Sequence, residues 1–266
     1  MKKILVPILA LLLVIGLVGC GQGGDEEDPV RRYEDIPTAL TELANGNIDA
    51  VVADSPVVLE YIKNNPAAEL EYFGDESFEK EYFGIAMRKE DTDLHELINE
   101  GLDKIRENGI YDKIFNKYFG DGTDFTVQES DNRLGVTYNV ASDMTYAPFE
   151  YLNDEGEPEG FDIDLIKAIA AEMGFEINLM NTAWDGLIPS LLGGTSDLII
   201  AAMTITEERQ ESVAFSDWYF ESTQYIAVKK GSGITKLEDL QGKTVGVQNG
   251  TTGDFAITKY FESLNK

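Results

Sequence analysis

Two kinds of segment alternate along the chain: short runs of apolar residues, and longer segments in which apolar residues recur with helical periodicity. Residues 198–202 form a continuous apolar run, as expected for a strand covered on both faces of a mostly parallel sheet. Residues 49–53 have a similar pattern. By contrast, the apolar residues of 162–172 lie on one side of a predicted helix. Strands that alternate with helices predict an α/β fold.

The remaining predicted elements follow the same alternation. Asn45 and Gly46 predict the end of the first helix, because glycine readily adopts the left-handed conformation that follows a helix. Pro189 is placed as in an early helical turn. The other predicted helices cover about 37–44, 93–107, 111–119, 236–240 and 254–264, and the other predicted strands cover 82–87, 134–140, 225–228 and 244–248.

An arginine follows the buried run 198–202 at an unusual place. Thr206 is predicted to cap a helix that opens with two glutamates and Arg209. A cation at a helix N-terminus is unfavourable by about 0.3 to 1 kcal/mol unless an anion binds there. Free N–H groups, a nearby hydroxyl and a guanidinium together suit a carboxylate. The alternative is that Arg209 only pairs with a surface acid such as Glu208.

A second candidate side chain follows the predicted strand 49–53. Asp54 lies at the carboxyl end of that strand, and a helix begins just after it. This end of a strand is the edge at which open α/β sheets bind ligands. The alternative is that the Asp54 carboxylate caps the helix that follows.

Composition excludes several classes of function. The 266 residues carry a formal net charge of −28, which argues against nucleic-acid binding because phosphates need clustered lysines and arginines. One cysteine excludes an internal disulfide, and His95 alone leaves no His/Cys metal cluster or Ser/His/Asp triad. We expect His95 to be a solvated surface residue. Residues 249–253 are rich in glycine but lack the Lys-Ser/Thr of a phosphate loop, so neither metal nor cofactor is expected.

The N-terminus has the pattern of an export signal, with two lysines before the apolar residues 4–18. Residues 17–20, Leu-Val-Gly-Cys, resemble a bacterial lipobox, which implies cleavage before Cys20 and a lipid anchor at its thiol. The alternative is an uncleaved membrane span, but the run is shorter than about 20 residues and contains Pro7. The protein is therefore expected outside the cytoplasm, anchored to the membrane by lipid.

Several motifs carry a family resemblance. The run IAAMTITEERQESVAFSDWYF (200–220) is similar to the most characteristic stretch of the polar amino-acid binding proteins that serve ABC transporters, and IRENGIYDKIFNKYFG (105–120) resembles their last helices. The resemblance extends over nearly everything from about Arg31. It implies a two-lobed type II periplasmic-binding-protein fold, with two sheets flanked by helices and joined by two hinge strands. It also implies that the partners are an amino acid and an ABC transporter permease.

The resemblance assigns roles to particular residues. It implies that Arg209 grips the ligand α-carboxylate with help from Thr204 and Thr252, and that Asp54 pairs with the α-ammonium. The ligand's aliphatic part would lie between Tyr146 and Trp184, beside the carbonyl of Ala202, with Asp143 facing its side chain. Isolated aromatic residues are otherwise more often ordinary core residues. Glutamine-binding relatives can carry a lysine where this chain has Gln248, so Asp143 lacks a counter-charge here and a basic ligand is favoured. The candidates are arginine, lysine, histidine and glutamine.

The order of segments is rotated relative to the family. There the segment that begins at Leu134 comes first, and the segment that begins at Val30 follows the last residues of this chain. We therefore expect a circular permutant. Such a rotation is physically tolerable because domain termini often lie close together at the surface. The alternative is a remnant of two tandem copies that binds only as a swapped dimer.

The expected segments are a lipoprotein signal (1–19), a tether (20–29), the second half of lobe 2 (30–77), a hinge strand with the C-terminal part of lobe 1 (78–120), a linker (121–133), the main part of lobe 1 (134–224), a hinge strand (225–230) and the first half of lobe 2 (231–266).

Catalysis is the main alternative to binding, since some relatives with this fold act as dehydratases. An enzyme needs a positioned acid or base, and the chain shows no obvious catalytic pair beyond the binding set. We therefore expect a substrate-binding lipoprotein of an amino-acid importer and not an enzyme.

Overall fold

The computed structural model of the protein describes residues 28–264. Within this range strands and helices alternate, and strands from distant parts of the chain share sheets. The strands are β1 (Val30–Tyr33), β2 (Ala50–Asp54), β3 (Leu70–Gly74), β4 (Glu81–Phe83), β5 (Ala86–Met87), β6 (Thr137–Ser142), β7 (Thr145–Tyr146), β8 (Glu150–Leu152), β9 (Pro158–Glu159), β10 (Glu176–Asn181), β11 (Leu198–Ile199), β12 (Ala214–Phe215), β13 (Phe220–Ser222), β14 (Gln224–Lys229) and β15 (Val245–Gln248). The helices are α1 (Ile36–Asn45), α2 (Ser55–Asn64), α3 (Thr92–Glu107), α4 (Ile110–Phe119), α5 (Phe161–Met173), α6 (Leu187–Leu192), α7 (Glu207–Gln210) and α8 (Thr252–Leu264).

Lobe 2 is built on a five-stranded sheet with the order β1-β15-β2-β14-β3. β1, β15 and β2 are parallel, and β14 runs antiparallel to both of its neighbours. Helices α1, α2 and α8 pack on this sheet. β2 is buried along its whole length, as its continuous apolar run predicts. The sheet therefore combines strands from the two ends of the described chain.

Lobe 1 is built on a second five-stranded sheet, with the order β10-β6-β11-β5-β12. β10, β6 and β11 are parallel, whereas β5 is antiparallel to β11 and β12. Helices α5 and α6 pack on the sheet, and α3 and α4 pack on α5. This lobe also takes strands from both halves of the chain. Two sheets flanked by helices agree with the predicted architecture.

The chain passes between the lobes at a small two-stranded sheet formed by β4 and β13. The predicted strand 82–87 is interrupted at Gly84, where a Cβ atom would lie 2.9 Å from the side chain of Ile205. The second predicted hinge segment, 225–230, lies elsewhere. Most of it belongs to β14, which pairs with β2 and β3 inside the sheet of lobe 2, and Ile226 and Val228 are fully buried there. The second crossing therefore precedes 225–230 and lies at β13.

The strand predicted at 198–202 is shorter than the apolar run. Only Leu198 and Ile199 pair as β11. Ala202 has a φ of 44°, and its N–H donates to Oδ2 of Asp162 over 2.8 Å. Because that N–H bonds to a side chain, it is not available to a neighbouring strand, and the chain turns toward the opening between the lobes.

Most predicted helices are present, with ends that agree within a few residues. Gly46 ends α1 in the left-handed conformation, as predicted, with a φ of 78°. The short helix predicted at 236–240 is a 3₁₀ turn at Leu237–Leu240. His95 is not the solvated residue expected, because it is half-buried and its Nε2 lies 2.9 Å from the carbonyl oxygen of Phe215.

The predicted export signal and Cys20 lie outside the described residues. Across 28–264, none of the helices combines the length and the apolar character that crossing a membrane requires.

Candidate functional site

The nine candidate residues named from the sequence line one cavity between the two lobes. Lobe 1 contributes Asp143, Tyr146, Trp184, Ala202, Thr204 and Arg209, and lobe 2 contributes Asp54, Gln248 and Thr252. Three further lining residues, Glu150, Ala201 and Thr251, were not named. The cavity has a volume of about 10 Å³, near the minimum for one water molecule. The lobes are thus closed on one another, and anything larger enters only when they separate.

Arg209 provides the positive charge of the cavity. Thr206 caps α7 as predicted, because its Oγ1 accepts from the N–H of Arg209 over 3.2 Å. The guanidinium lies over the ring of Trp184, 5.0 Å from its centroid, and Nη1 donates to the carbonyl of Thr204 over 2.8 Å. Burial lowers the pKa of Arg209, although the surrounding carboxylates oppose that change. The side chain is half-buried and its partners are Trp184 and Thr204, so the alternative of a surface ion pair to Glu208 does not describe it.

Asp54 is the carboxylate that lobe 2 contributes to the lining of the cavity. It is 6% exposed and does not cap α2, so the capping alternative is excluded. Its carboxylate accepts hydrogen bonds from Tyr146 Oη at 2.6 Å, Ser222 Oγ at 3.1 Å and Gln224 Nε2 at 3.2 Å. Burial raises the pKa of Asp54 to about 8, and the negative charge of Glu81 acts in the same direction. A cation beside Asp54 would favour its ionised form.

Asp143 occupies another part of the cavity wall, in the loop after β6. Its Oδ2 accepts from Nε2 of Gln248 over 2.8 Å, and its Oδ1 accepts from the hydroxyl of Thr145 over 2.9 Å. Burial raises the pKa of Asp143. Gln248 therefore gives Asp143 a neutral donor and not a counter-charge, so a ligand cation would still find a negative partner here.

Thr204 and Thr252 meet a carboxylate that the sequence analysis missed. Both hydroxyls donate to Oε2 of Glu81, over 2.6 and 2.7 Å, and Gln224 Nε2 donates to its Oε1 over 3.0 Å. Glu81 opens β4, at the crossing between the lobes. The signal in the sequence that could have identified Glu81 is its position as a charged residue beside a predicted hinge strand. In this closed form Glu81 takes the two hydroxyls that the resemblance assigns to a ligand carboxylate.

Beneath the cavity, Ala202 links the site to a buried acid. Its N–H and the hydroxyl of Tyr219 both donate to Oδ2 of Asp162, over 2.8 and 2.6 Å. Asp162 is fully buried, and burial raises its pKa to about 6. The hydrogen bond to Asp162 thus holds Ala202 in its left-handed conformation, in which Ala201 and Ala202 line the cavity.

Hydrogen bonds cross the cleft at several points. Besides the bonds from Tyr146 to Asp54 and from Gln248 to Asp143, Nε1 of Trp184 donates to the carbonyl of Gly250 over 3.3 Å. A second cavity of about 180 Å³ shares Trp184 and Arg209 with the first. Tyr146 and Trp184 therefore both line the cleft, although Tyr146 also belongs to the buried hydrophobic core.

The charges of the cavity wall suggest what it can hold. Three carboxylic acids, Asp54, Asp143 and Glu150, line it together with one guanidinium, that of Arg209. Buried charges are costly unless they are paired, so a ligand with one anionic group and more than one cationic group would complement this wall. In the part of the chain that the structure describes, no cluster of His, Cys, Asp and Glu residues suits a metal ion.

Comparison with known proteins identifies the family. Residues 29–121 and 138–262 match the bacterial extracellular solute-binding proteins, family 3. The chain belongs to this family. The prediction of a two-lobed α/β fold of the type II periplasmic kind is thereby confirmed.

Relatives of this family 3 chain include named amino-acid binding proteins. It is 44% identical over 132 residues to a probable histidine-binding protein of Neisseria gonorrhoeae, a match that covers 49% of each chain. It is 46% identical over 113 residues to the arginine-binding extracellular protein ArtP of Bacillus subtilis, covering 42% of this chain and 44% of the relative. The chain spans about half the length of these curated relatives. A solved ancestral arginine-binding protein bound to arginine is 42% identical, with a TM-score of 0.44 and coverage of 48% of this chain and 57% of that chain.

Proposed function

We propose that the protein binds a basic L-amino acid between its two lobes and delivers it to the permease of an ABC importer. The observation that carries this proposal is the cavity wall, where the guanidinium of Arg209 and the carboxylate of Asp54 stand on opposite lobes. An amino acid has one α-carboxylate and one α-ammonium, so it can neutralise both groups at once. The names of the histidine- and arginine-binding relatives support the same ligand class.

The closing mechanism follows from the buried charges. Without a ligand, closure buries Asp54 near the negative charge of Glu81, and both effects raise the pKa of Asp54 and disfavour its ionised form. At neutral pH the empty protein is therefore driven toward an open form, in which water reaches Asp54. A bound α-ammonium removes this penalty and stabilises closure, a type of hinge movement known for periplasmic binding proteins.

The nine residues keep the roles expected of them within this proposal. Arg209 would bind the α-carboxylate, and Asp54 the α-ammonium. Tyr146 and Trp184 would enclose the aliphatic part, near the carbonyl of Ala202. Asp143, held by Gln248, would face the cationic end of the side chain. Thr204 and Thr252 would support the α-carboxylate only after releasing Glu81.

We infer a circularly permuted chain order, with 121–133 as the linker between the usual termini. Both five-stranded sheets combine strands from the two halves of the chain, which supports assembly of a full site within one molecule. The swapped dimer of tandem remnants would place the same strands in two chains.

Binding without turnover is the function that we propose, since the relatives are named as binding proteins. We also propose export and lipidation at Cys20, from the lipobox-like residues alone. Mass spectrometry of membrane-extracted protein would test this modification, and an unmodified Cys20 in mature protein would overturn it.

Calorimetric titration with the twenty amino acids tests the main proposal, using the chain without its first 20 residues. We expect one-to-one binding of a basic amino acid by a monomer, with the mass determined by light scattering. Binding by a dimer alone would replace the permutant with the tandem-remnant arrangement. Absence of binding to every amino acid would overturn the proposed function.

A further inference from the structure

Glu81 is a carboxylate at the cleft that the proposed roles leave unused. It opens β4, at the crossing between the lobes, and it is half-buried. Its Oε2 accepts from the hydroxyl of Thr204 on lobe 1 over 2.6 Å and from that of Thr252 on lobe 2 over 2.7 Å. Both threonines line the cavity. One carboxylate oxygen therefore bridges the two lobes.

Paired backbone on both sides of β4 fixes the place of Glu81. On one side Glu81 pairs with Ser222 of β13. On the other side a backbone bridge joins Phe83 to Thr204. Thr204 thus lies beside the strand that carries Glu81, and the backbone brings the two side chains together.

The charge of Glu81 also acts on Arg209. Burial lowers the pKa of Arg209, and the negative charge of Glu81 is the largest of the charges that oppose this change. Arg209 is the residue proposed to bind the ligand α-carboxylate, and Thr204 and Thr252 are proposed to support it. Glu81 therefore makes, from within the chain, the interactions proposed for that carboxylate.

Glu81 and a ligand carboxylate cannot use the same donors together. A hydroxyl group has one hydrogen to donate, so Thr204 and Thr252 each serve one carboxylate at a time. Two carboxylates at this place would also repel each other. A ligand carboxylate consequently reaches both hydroxyls only when the Glu81 side chain turns away. Because Glu81 is tethered to the chain, it has a high effective concentration at the site.

We propose that Glu81 is an internal competitor of the ligand α-carboxylate, which holds Thr204 and Thr252 until a ligand carboxylate displaces it. This assignment rests on the proposed function. Glu81 acts through the two hydroxyls and is therefore a positioning residue. A ligand without the carboxylate leaves Glu81 in place and is attracted by its negative charge. Glu81 thus sets how strongly the protein prefers a free amino acid to a derivative whose carboxylate is blocked.

The first test compares arginine with argininamide, in which a neutral amide of nearly the same shape replaces the α-carboxylate. Calorimetry at pH 7 gives the Kd of each ligand for the wild type and for Glu81→Gln, by competition with arginine where argininamide binds weakly. We expect Glu81→Gln to lower the Kd of arginine about threefold to tenfold, and to leave that of argininamide unchanged or up to about threefold higher. Glu79→Gln, which removes a nearby exposed carboxylate, is the matched control.

A second test needs arginine alone. Thr204→Val replaces the hydroxyl by a methyl group of similar size. In the wild type this hydroxyl only exchanges one carboxylate for another, so we expect its loss to change the Kd of arginine less than about threefold. In Glu81→Gln the hydroxyl has lost its charged partner, and the same substitution should raise the Kd about tenfold.

The outcomes distinguish the competition from the proposed function. Equal changes for arginine and argininamide in Glu81→Gln would overturn the competition, and so would an equal cost of Thr204→Val in the two backgrounds. Arginine binding that is about tenfold weaker in Glu81→Gln would also overturn it, because Glu81 would then support the bound form. In each case arginine binding by the wild type leaves the proposed function intact. Failure of the wild type to bind any amino acid would overturn the proposed function itself.

Discussion

The hydroxyl of Tyr146 donates a hydrogen bond of 2.6 Å to Oδ2 of Asp54, and this bond joins the two lobes across the cleft. The two residues are 92 positions apart in the chain. Burial raises the pKa of Tyr146 well above its usual value, so the phenol remains a donor. Asp54 therefore keeps a partner in the closed form even without a ligand. A ligand ammonium would add the positive charge that a phenol cannot supply.

Arg209→Ala should abolish amino-acid binding. The substitution would leave the ligand carboxylate buried without its cation, at a cost of about 3 to 5 kcal/mol, which corresponds to at least a hundredfold loss of affinity. Calorimetric titration measures this loss, and Arg31→Ala, on an exposed residue of lobe 2, is the control. Binding within about threefold of the wild type would remove Arg209 from the site.

Asp54→Asn should make the ligand-free protein more stable at pH 8 but not at pH 4. The folded pKa of about 8 is above the usual unfolded value, so the stability that Asp54 contributes is fully present below about pH 4 and is lost as the pH rises toward 8. Asparagine does not ionise and escapes this loss. We expect the free energy of unfolding to increase by about 1 to 2 kcal/mol at pH 8. The increase is no larger because the wild type can open its cleft and expose the ionised Asp54 carboxylate to water.

Urea unfolding at pH 4, 6 and 8 measures the effect, with Asp124→Asn on an exposed residue as control. A variant less stable than the wild type at pH 8 would show that the ionised carboxylate is satisfied in the closed form. The same variant should lose amino-acid binding, because an amide cannot neutralise an ammonium.

Local sequence patterns predicted the helices and the buried strands well. Glycine at position 46 and the amphipathic pattern of α3 are local signals, and both helices follow them closely. The helix predicted at 162–172 is present as α5, but it is buried on nearly every side and not on one face alone. β10 was missed although its residues alternate between exposed and half-buried positions, a pattern expected for a strand. The apolar run 198–202 was read as one strand, because the hydrogen bond from Ala202 to Asp162 depends on the tertiary fold.

The candidate site was predictable where its residues follow strands or begin helices. All nine named residues line the cavity because such positions converge at one edge of each sheet. Glu81 and Glu150 were not named, since their importance comes from partners far away in sequence. Glu81 bonds to Thr204 and Thr252, and Glu150 is buried near the negative charge of Asp162. Neither arrangement leaves a local pattern.

Glu81→Gln should strengthen amino-acid binding. Glu81 holds the hydroxyls of Thr204 and Thr252, and its negative charge lies near the place proposed for the ligand carboxylate. Removal of that charge frees donors and reduces repulsion, so we expect the Kd at pH 8 to fall about threefold to tenfold. The exposed Glu79→Gln is the matched control. A tenfold weaker affinity would instead show that the Glu81 carboxylate supports the closed, ligand-bound form.

Gly160→Ala tests whether the backbone beside Glu150 is as tightly fixed as the site requires. Gly160 has a φ of 133°, and a Cβ atom there would lie 2.1 Å from the carbonyl oxygen of Phe149. Backbone cannot move aside as a flexible side chain can, so we expect a loss of about 2 to 4 kcal/mol in the free energy of unfolding. Displacement of Phe149 would also move its neighbour Glu150 in the cavity wall, so amino-acid affinity should fall together with stability.

Gly156→Ala separates this clash from backbone strain alone. Gly156 has a φ of 81°, and a Cβ atom at that position would meet nothing within 4 Å. Its substitution should cost only about 1 kcal/mol, the usual penalty for a left-handed residue with a side chain. Urea unfolding of both variants measures the difference. Equal losses for the two substitutions would mean that the chain around Phe149 adapts easily, and the rigid placement of Glu150 in the cavity wall would lose its support.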